Sequence, residues 1–226
     1  MQLTIDTSLR PRLLEFVTDS EAVEDLASYY QEGPPGTGYS GRWFERIGTP
    51  EDQERDRNRL TADDIVAISA LGIRLPITVS SRLLVKDAAE ISELLAEIPA
   101  DVDLWDASRS DLGPRSAAGR LFQRFRAMAW NGGENGTSGV TASKLLARKR
   151  PLLIPIYDRQ VRTLVGLSNG ANWWVSLNAA LTQELREHLE VLHQDAGLEP
   201  IITPLRTLDV VLWMRARRHA AAARAS

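Results

Sequence analysis

The chain has 226 residues, a net charge of −3 and no cysteine, so disulfides, thiolate metal sites and cysteine nucleophiles are excluded. The N-terminal residues do not resemble a secretory signal, and no apolar run reaches the ~18 residues that a membrane span needs. We therefore expect a soluble, cytoplasmic protein that binds no cofactor and does not interact with membranes.

Charge is distributed unevenly along the chain. Residues 1–112 contain 11 Lys/Arg and 22 Asp/Glu, a net charge of −11. Residues 113–166 contain 10 Lys/Arg and only two acids, Glu134 and Asp158, a net charge of +8. A basic segment of this kind is typical of a surface that binds phosphates. The alternative is that its cations pack beside the acidic N-terminal half and are neutralised inside the protein.

Apolar residues at helical spacing predict that the chain begins with a helix over residues 8–30, broken near Asp19 or Ser20. A glycine- and proline-rich loop follows, and it leads into an aromatic segment that includes Tyr39 and Trp43. These rings either line a pocket and stack on bases or anchor the long loop to the core.

Thr61 is an expected helix N-cap, and the two acids that follow, Asp63 and Asp64, are assigned to capping and to the helix dipole. Periodicity predicts later helices around residues 79–85, 87–98, 114–130, 173–194 and 204–218. Residues 131–139, with four glycines, predict a loop.

The stretch from Ser138 to Leu167 carries the most specific pattern. It predicts a basic helix over Thr141–Arg150 that ends at Pro151, since proline has no amide hydrogen to donate. The connector 152–157 is too apolar for a solvated loop and is expected to be buried. Asp158 then occupies the N-cap position of a second helix, where its carboxylate can accept from free backbone amides.

This stretch resembles the core of the helix-hairpin-helix DNA glycosylase superfamily, in which a Gly-Val-Gly-x-x-Thr-Ala hairpin leads through a helix and an apolar strap to Asp-x-x-Val. The matching residues are Gly139, Val140, Thr141, Ala142, Asp158 and Val161, with Arg162 and Leu164 continuing the second helix. The chain lacks the second hairpin glycine, a lysine directly before Thr141 and the four-cysteine cluster that some members carry. The basic helix and the Ile-Pro-Ile-Tyr-Asp sequence also look like a family of uncharacterised actinobacterial proteins.

The resemblance implies a DNA-binding protein that excises a base, with Asp158 as the catalytic carboxylate that stabilises an oxocarbenium-like sugar. It also implies that the basic segment 113–166 contacts DNA. The candidate nucleic-acid-binding residues are Gly139, Val140, Lys144, Arg148, Lys149, Arg150, Arg159 and Arg162. The candidate pocket-lining residues are Tyr39, Trp43 and Tyr157. Two alternatives stay open: a helical nucleic-acid-binding protein without catalysis, and a protein-interaction module.

No metal site is predicted, because His188 and His193 are five residues apart and do not share a helical face. No segment alternates as a strand would, and Ile154–Ile156 is the only strand-like piece. We predict an all-α protein of about nine or ten helices, as one domain over residues 1–226. The alternative is a subdivision into residues 1–112 and 113–226, and the resemblance places two such helical halves around a cleft.

Overall fold

The computed structural model describes residues 4–34, 36–129, 137–167 and 172–225, and every regular element within them is helical. This confirms the predicted all-α fold class. No helix in the described part of the protein is long and apolar enough to cross a membrane.

The helical elements follow one another along the sequence with short connections. In order they are α1 (Leu9–Val17), α2 (Ala22–Tyr30), a 3-10 turn (Ser40–Trp43), α3 (Pro50–Arg55), α4 (Ala62–Ala70), α5 (Ile77–Ser81), a π-helical turn (Arg82–Lys86), α6 (Ala88–Glu97), α7 (Arg109–Leu112), α8 (Ala117–Ala129), α9 (Thr137–Lys149), α10 (Arg159–Leu164), α11 (Trp173–Ala180), α12 (Gln183–Asp195) and α13 (Pro204–Ala225).

The protein groups into two compact units. The terminal unit comprises residues 1–39 and 157–226, and the central unit comprises residues 40–156. The predicted subdivision at residue 112 lies inside the central unit.

In the terminal unit, α13 packs against α1, α2, α10 and α12. Its apolar side is buried, as its sequence spacing predicts. The predicted break near Asp19 is confirmed, because α1 ends at Val17 and α2 begins at Ala22.

The predicted single helix over residues 173–194 is wrong, because the structure has two helices there. α11 ends at Ala180, and the hydroxyl of Thr182 accepts a hydrogen bond from the Leu185 amide to cap α12. This cap gives the backbone an alternative to continuing the first helix, although the leucine spacing runs on across the break.

In the central unit, α9 packs against both α8 and α4, and α6 packs against α8. The connector after α9 is buried at Leu153, Ile154 and Ile156, as its apolar composition predicts. It forms no strand, and the Leu104 amide donates to the Leu152 carbonyl at 3.0 Å. The connector is therefore an irregular segment fixed in the interior of the unit.

Candidate functional site

Four basic residues predicted to bind nucleic acid lie inside the central unit: Lys144, Arg148 and Lys149 of α9, and Arg150 directly after it. Lys144, Arg148 and Lys149 are buried, and Arg150 is completely inaccessible to solvent. Each donates to backbone carbonyls or to a carboxylate within the same unit. The expectation that these four side chains form an exposed phosphate-binding face is therefore wrong.

Asp64 is the carboxylate that compensates two of these charges. Its Oδ1 accepts from Nε of Arg148 at 3.2 Å, and its Oδ2 accepts from Nζ of Lys149 at 3.1 Å. Its Oδ2 also accepts from the backbone amide of Thr61, which completes a capping box at the start of α4. The capping role was predicted, whereas the two ion pairs with residues more than 80 positions away were not.

Arg148 also holds the aromatic segment that follows the 3-10 turn. Its Nη1 donates to the carbonyls of Phe44 at 2.7 Å and Glu45 at 3.2 Å, and its Nη2 donates to the carbonyl of Ile47. The side-chain amide of Gln53 donates to the carbonyls of Glu45, Ile47 and Gly48 in the same segment. The guanidinium and the amide together replace the regular hydrogen bonds that this irregular segment lacks.

Arg150 and Lys144 donate hydrogen bonds to carbonyls at the C-termini of two other helices. Arg150 donates to the carbonyls of Leu95 and Ile98 at the end of α6, with a distance of 2.9 Å to Ile98. Nζ of Lys144 donates to the carbonyl of Leu71, the C-cap residue directly after α4, at 2.9 Å. The last carbonyls of a helix have no partner within the helix, and they carry the negative end of its dipole. These two cations therefore cap the ends of α6 and α4.

Burial changes the acid–base properties of two of these groups. Desolvation lowers the pKa of Lys149, although the charge of Asp64 acts in the opposite direction. Desolvation, with the charge of Arg57 adding to it, lowers the pKa of Arg150 to about 10. Both directions follow from placing a cation in a poorly solvated interior.

Asp158 lies at the N-terminus of α10, as predicted. Its Oδ1 accepts from the Gln160 amide at 2.8 Å, and its side chain is half-buried. Its neighbour Arg159 is exposed. Nη1 of Arg162 donates to the Tyr157 hydroxyl at 2.9 Å, so these two candidates contact each other.

The two hairpin candidates, Gly139 and Val140, lie in the first turn of α9 rather than in a hairpin loop. They are half-buried, and α9 begins four residues earlier than predicted. The predicted loop lies mostly at 131–136, outside the described residues.

The aromatic candidates occupy two separate surroundings. In the terminal unit, Tyr39 stacks on Tyr29 with ring centroids 5.3 Å apart, and Arg217 lies over the rings of both Tyr39 and Trp213. Tyr39 is therefore an anchor of the loop it ends, in line with the alternative interpretation. In the central unit, Trp43 is 43% exposed, and the guanidiniums of Arg42 and Arg46 lie 5.5 and 5.7 Å from the centroid of its ring.

An open cavity of about 450 Å³ lies within the terminal unit between α1, α10 and α13. We call it the α10–α13 cavity. Its lining residues are Phe16, Arg159, Gln160, Thr163, Leu164, Ala216, His219 and Ala220. Of the sequence-predicted site residues, Arg159 is the one that lines it, while Asp158 directly precedes two lining residues.

The wall formed by α10 is fixed at both ends. Asp158 caps its first turn, and a guanidinium nitrogen of Arg12 donates to the carbonyl of Val165 just after its last turn. Gly166 follows with a φ of 57°, in a position where an added Cβ would lie 2.7 Å from Arg12. A short helix with both ends held can keep its shape in the absence of a ligand.

Among the described residues, no three His, Asp or Glu side chains are grouped so that they could hold a metal ion. The α10–α13 cavity itself contributes one imidazole and no carboxylate to its lining. Its chemistry is that of an apolar site with a polar rim.

A family model, described as a family of unknown function (DUF6308), matches residues 22–216. The chain belongs to DUF6308. Comparisons with curated proteins and with solved structures gave no match. The DUF6308 match includes both candidate regions, the buried cations of α9 and most of the residues that line the cavity.

The sequence of this DUF6308 protein contains a partial signal for the cavity. Arg159, Gln160, Thr163 and Leu164 follow the i, i+1, i+4, i+5 pattern of one helical face. Ala216 and Ala220 are four residues apart and too small to fill the space next to that face. The pairing of α10 with α13 could not be read from either pattern alone.

Proposed function

We propose that the protein binds a small, largely apolar ligand in the α10–α13 cavity. The observation that carries this proposal is a cavity of about 450 Å³ with an apolar floor and a few polar groups around it. Ligand sites in proteins are typically concave, ~300–1,000 Å³ in volume, and mostly apolar with a small number of polar groups that orient the ligand.

The lining supplies these two kinds of contact. Phe16, Leu164 and Ala216 offer an apolar surface, and Phe16 and Ala216 are buried. On an exposed face of α10, Gln160 offers a side-chain amide. The Thr163 hydroxyl donates to the Arg159 carbonyl at 3.0 Å and offers a ligand its acceptor lone pairs. A ligand would gain free energy by covering the apolar floor, and the polar groups would fix its orientation.

The test uses N-phenyl-1-naphthylamine, an uncharged aromatic probe whose fluorescence rises in apolar surroundings. We expect saturable binding to the wild-type protein at one site. The Ala220→Trp variant places a large ring in the cavity mouth and should weaken binding at least tenfold. Ala220 is exposed, so the fold should tolerate the change.

The matched control is Ala221→Trp, one residue further on α13. Its side chain points about 100° away from that of its neighbour, and it does not line the cavity. It should bind the probe as the wild type does. Equal binding by both variants, or no saturable binding by the wild type, would refute the proposal.

A second candidate is base excision of the helix-hairpin-helix glycosylase type, and the position of Asp158 favours it. This half-buried carboxylate caps the helix whose next two residues, Arg159 and Gln160, line the cavity. In this proposal the cavity receives an extruded nucleotide, and Asp158 stabilises the positive charge that develops on its sugar. The buried cations of α9 take no part in it, so Arg159 is the cation nearest in sequence for a phosphate.

Base release from damaged and mismatched duplexes, measured under single-turnover conditions, tests this second candidate. Asp158→Asn should abolish release while leaving the melting temperature almost unchanged, because the amide oxygen still caps the helix. Equal release by both proteins would exclude Asp158 as the catalytic group.

A further inference from the structure

The lining of the α10–α13 cavity is asymmetric in charge. It contains two basic side chains, Arg159 and His219, and no acidic one. Both basic residues are exposed, one on α10 and the other on α13, so they lie at the rim rather than on the apolar floor.

A further cation extends this basic rim. Arg224 follows Ala220 by four residues in α13, and residues four apart lie on the same face of a helix. It is exposed. A group bound at the cavity mouth would therefore meet positive charge from both walls.

We propose that the ligand of this cavity is an anion with an apolar body and one negatively charged group, which contacts Arg159 and His219 while the body covers Phe16 and Leu164. This inference rests on the proposed function, because it names the class of ligand for the same site. A guanidinium is suited to the task, since its planar donors match the oxygens of a carboxylate, sulfonate or phosphate group.

Two probes that share one aromatic body separate charge from apolar contact. They are 8-anilinonaphthalene-1-sulfonate, which carries a sulfonate, and the uncharged N-phenyl-1-naphthylamine. We expect the sulfonate probe to bind the wild type more tightly at about 10 mM salt. Its affinity should fall as salt is raised to about 500 mM, because salt screens exposed charges, whereas the uncharged probe should be unaffected.

The variants Arg159→Gln and His219→Gln each remove one basic side chain from an exposed position. We expect Arg159→Gln to weaken binding of the sulfonate probe by about threefold, as an exposed ion pair contributes little, and the double variant to weaken it further. Binding of the uncharged probe should stay within about twofold in all of them. Arg10→Gln is the matched control, because Arg10 is an exposed α1 arginine that pairs with Glu184 and does not line the cavity.

The outcomes separate this inference from the proposed function. Equal affinity for both probes, or a double variant that binds the sulfonate probe as the wild type does, would overturn the anionic class and leave the cavity as a site for neutral ligands. Saturable binding of neither probe would overturn both proposals. Loss of sulfonate-probe binding in Arg10→Gln as well would overturn the assignment to these two rim residues.

Discussion

Replacing Asp64 by asparagine should destabilise the central unit far more than a change of one atom suggests. The carboxylate is 3% exposed and lies 3.2 Å from Arg148 and 3.1 Å from Lys149, whose side chains are 4% and 5% exposed. The amide of asparagine has almost the same shape and keeps an oxygen for the capping box at Thr61. The change therefore removes a negative charge, and the NH2 group of asparagine replaces the oxygen that accepts from Nε of Arg148.

The magnitude follows from what the two cations can do afterwards. Removing one partner of a buried ion pair costs about 3–5 kcal/mol, because the remaining charge is neither solvated nor compensated. Arg148 keeps its carbonyl acceptors, so much of the cost falls on Lys149. Lys149 can avoid an uncompensated buried charge by losing its proton. At pH 7 this deprotonation costs at most about 5 kcal/mol, or ~1.4 kcal/mol for each pH unit below the ordinary lysine pKa.

Urea unfolding followed by far-UV circular dichroism at pH 7 measures the effect, and Asp111→Asn is the matched control. Asp111 forms the same capping box with Ser108 at the start of α7, but Ser108 is exposed and the box is not inside the unit. We expect the control to lose at most about 1 kcal/mol. The deficit of Asp64→Asn should also shrink as the pH rises towards 9, because neutral Lys149 becomes less costly.

Equal losses in the two variants would refute this reasoning. They would mean that Asp64 acts as a cap alone and that the buried cations are compensated by carbonyls and water. A deficit that does not change with pH would show that Lys149 stays protonated in the variant.

The remaining predictions concern single side chains and use the same unfolding measurement. Arg150→Lys should cost about 2–4 kcal/mol, because one ammonium cannot reach the α6 carbonyls and the Arg57 carbonyl together; a loss below about 1 kcal/mol would contradict its role at the end of α6. Lys149→Met should change how stability depends on pH. In the wild type the pKa of Lys149 is lower in the folded state than in the unfolded state, so at a pH between these two values unfolding takes up a proton and stability rises with pH. The variant should lack this rise. Asp158→Asn should lose at most about 1 kcal/mol, and a larger loss would show that its charge, rather than its cap, holds α10.

Features determined by nearby residues were predictable from the sequence. The helical class, the end of α9 before Pro151 and the cap at Asp158 each depend on residues within about one turn of one another. The capping box at Asp64 belongs to the same group. The break between α11 and α12 also had a local signal in Thr182, but the continuing leucine spacing outweighed it in the prediction.

The burial of the α9 cations could not be predicted in the same way. A run of Lys and Arg on a helix is normally a solvated face, and here the compensating groups are mostly backbone carbonyls, which every sequence contains. The cavity presents the same difficulty, because it depends on α1, α10 and α13 meeting in space. Of the two charge interpretations left open, pairing with an acid of the N-terminal half describes Arg148 and Lys149, which share Asp64. Lys144 and Arg150 are buried too, but they donate to backbone carbonyls.

Because Lys144 and Lys149 are buried, the rate at which they react with amine-directed reagents reports on the opening of the central unit. The whole sequence has three lysines, and the third, Lys86, is exposed in the π-helical turn. Amine-reactive labels should therefore modify Lys86 in the folded protein, and should reach the other two lysines only when the central unit opens. Acylation rates at Lys144 and Lys149, read by mass spectrometry, would follow that opening without an introduced label. Enzymes that acetylate lysine would meet the same restriction, so Lys86 is the lysine that the folded protein offers them.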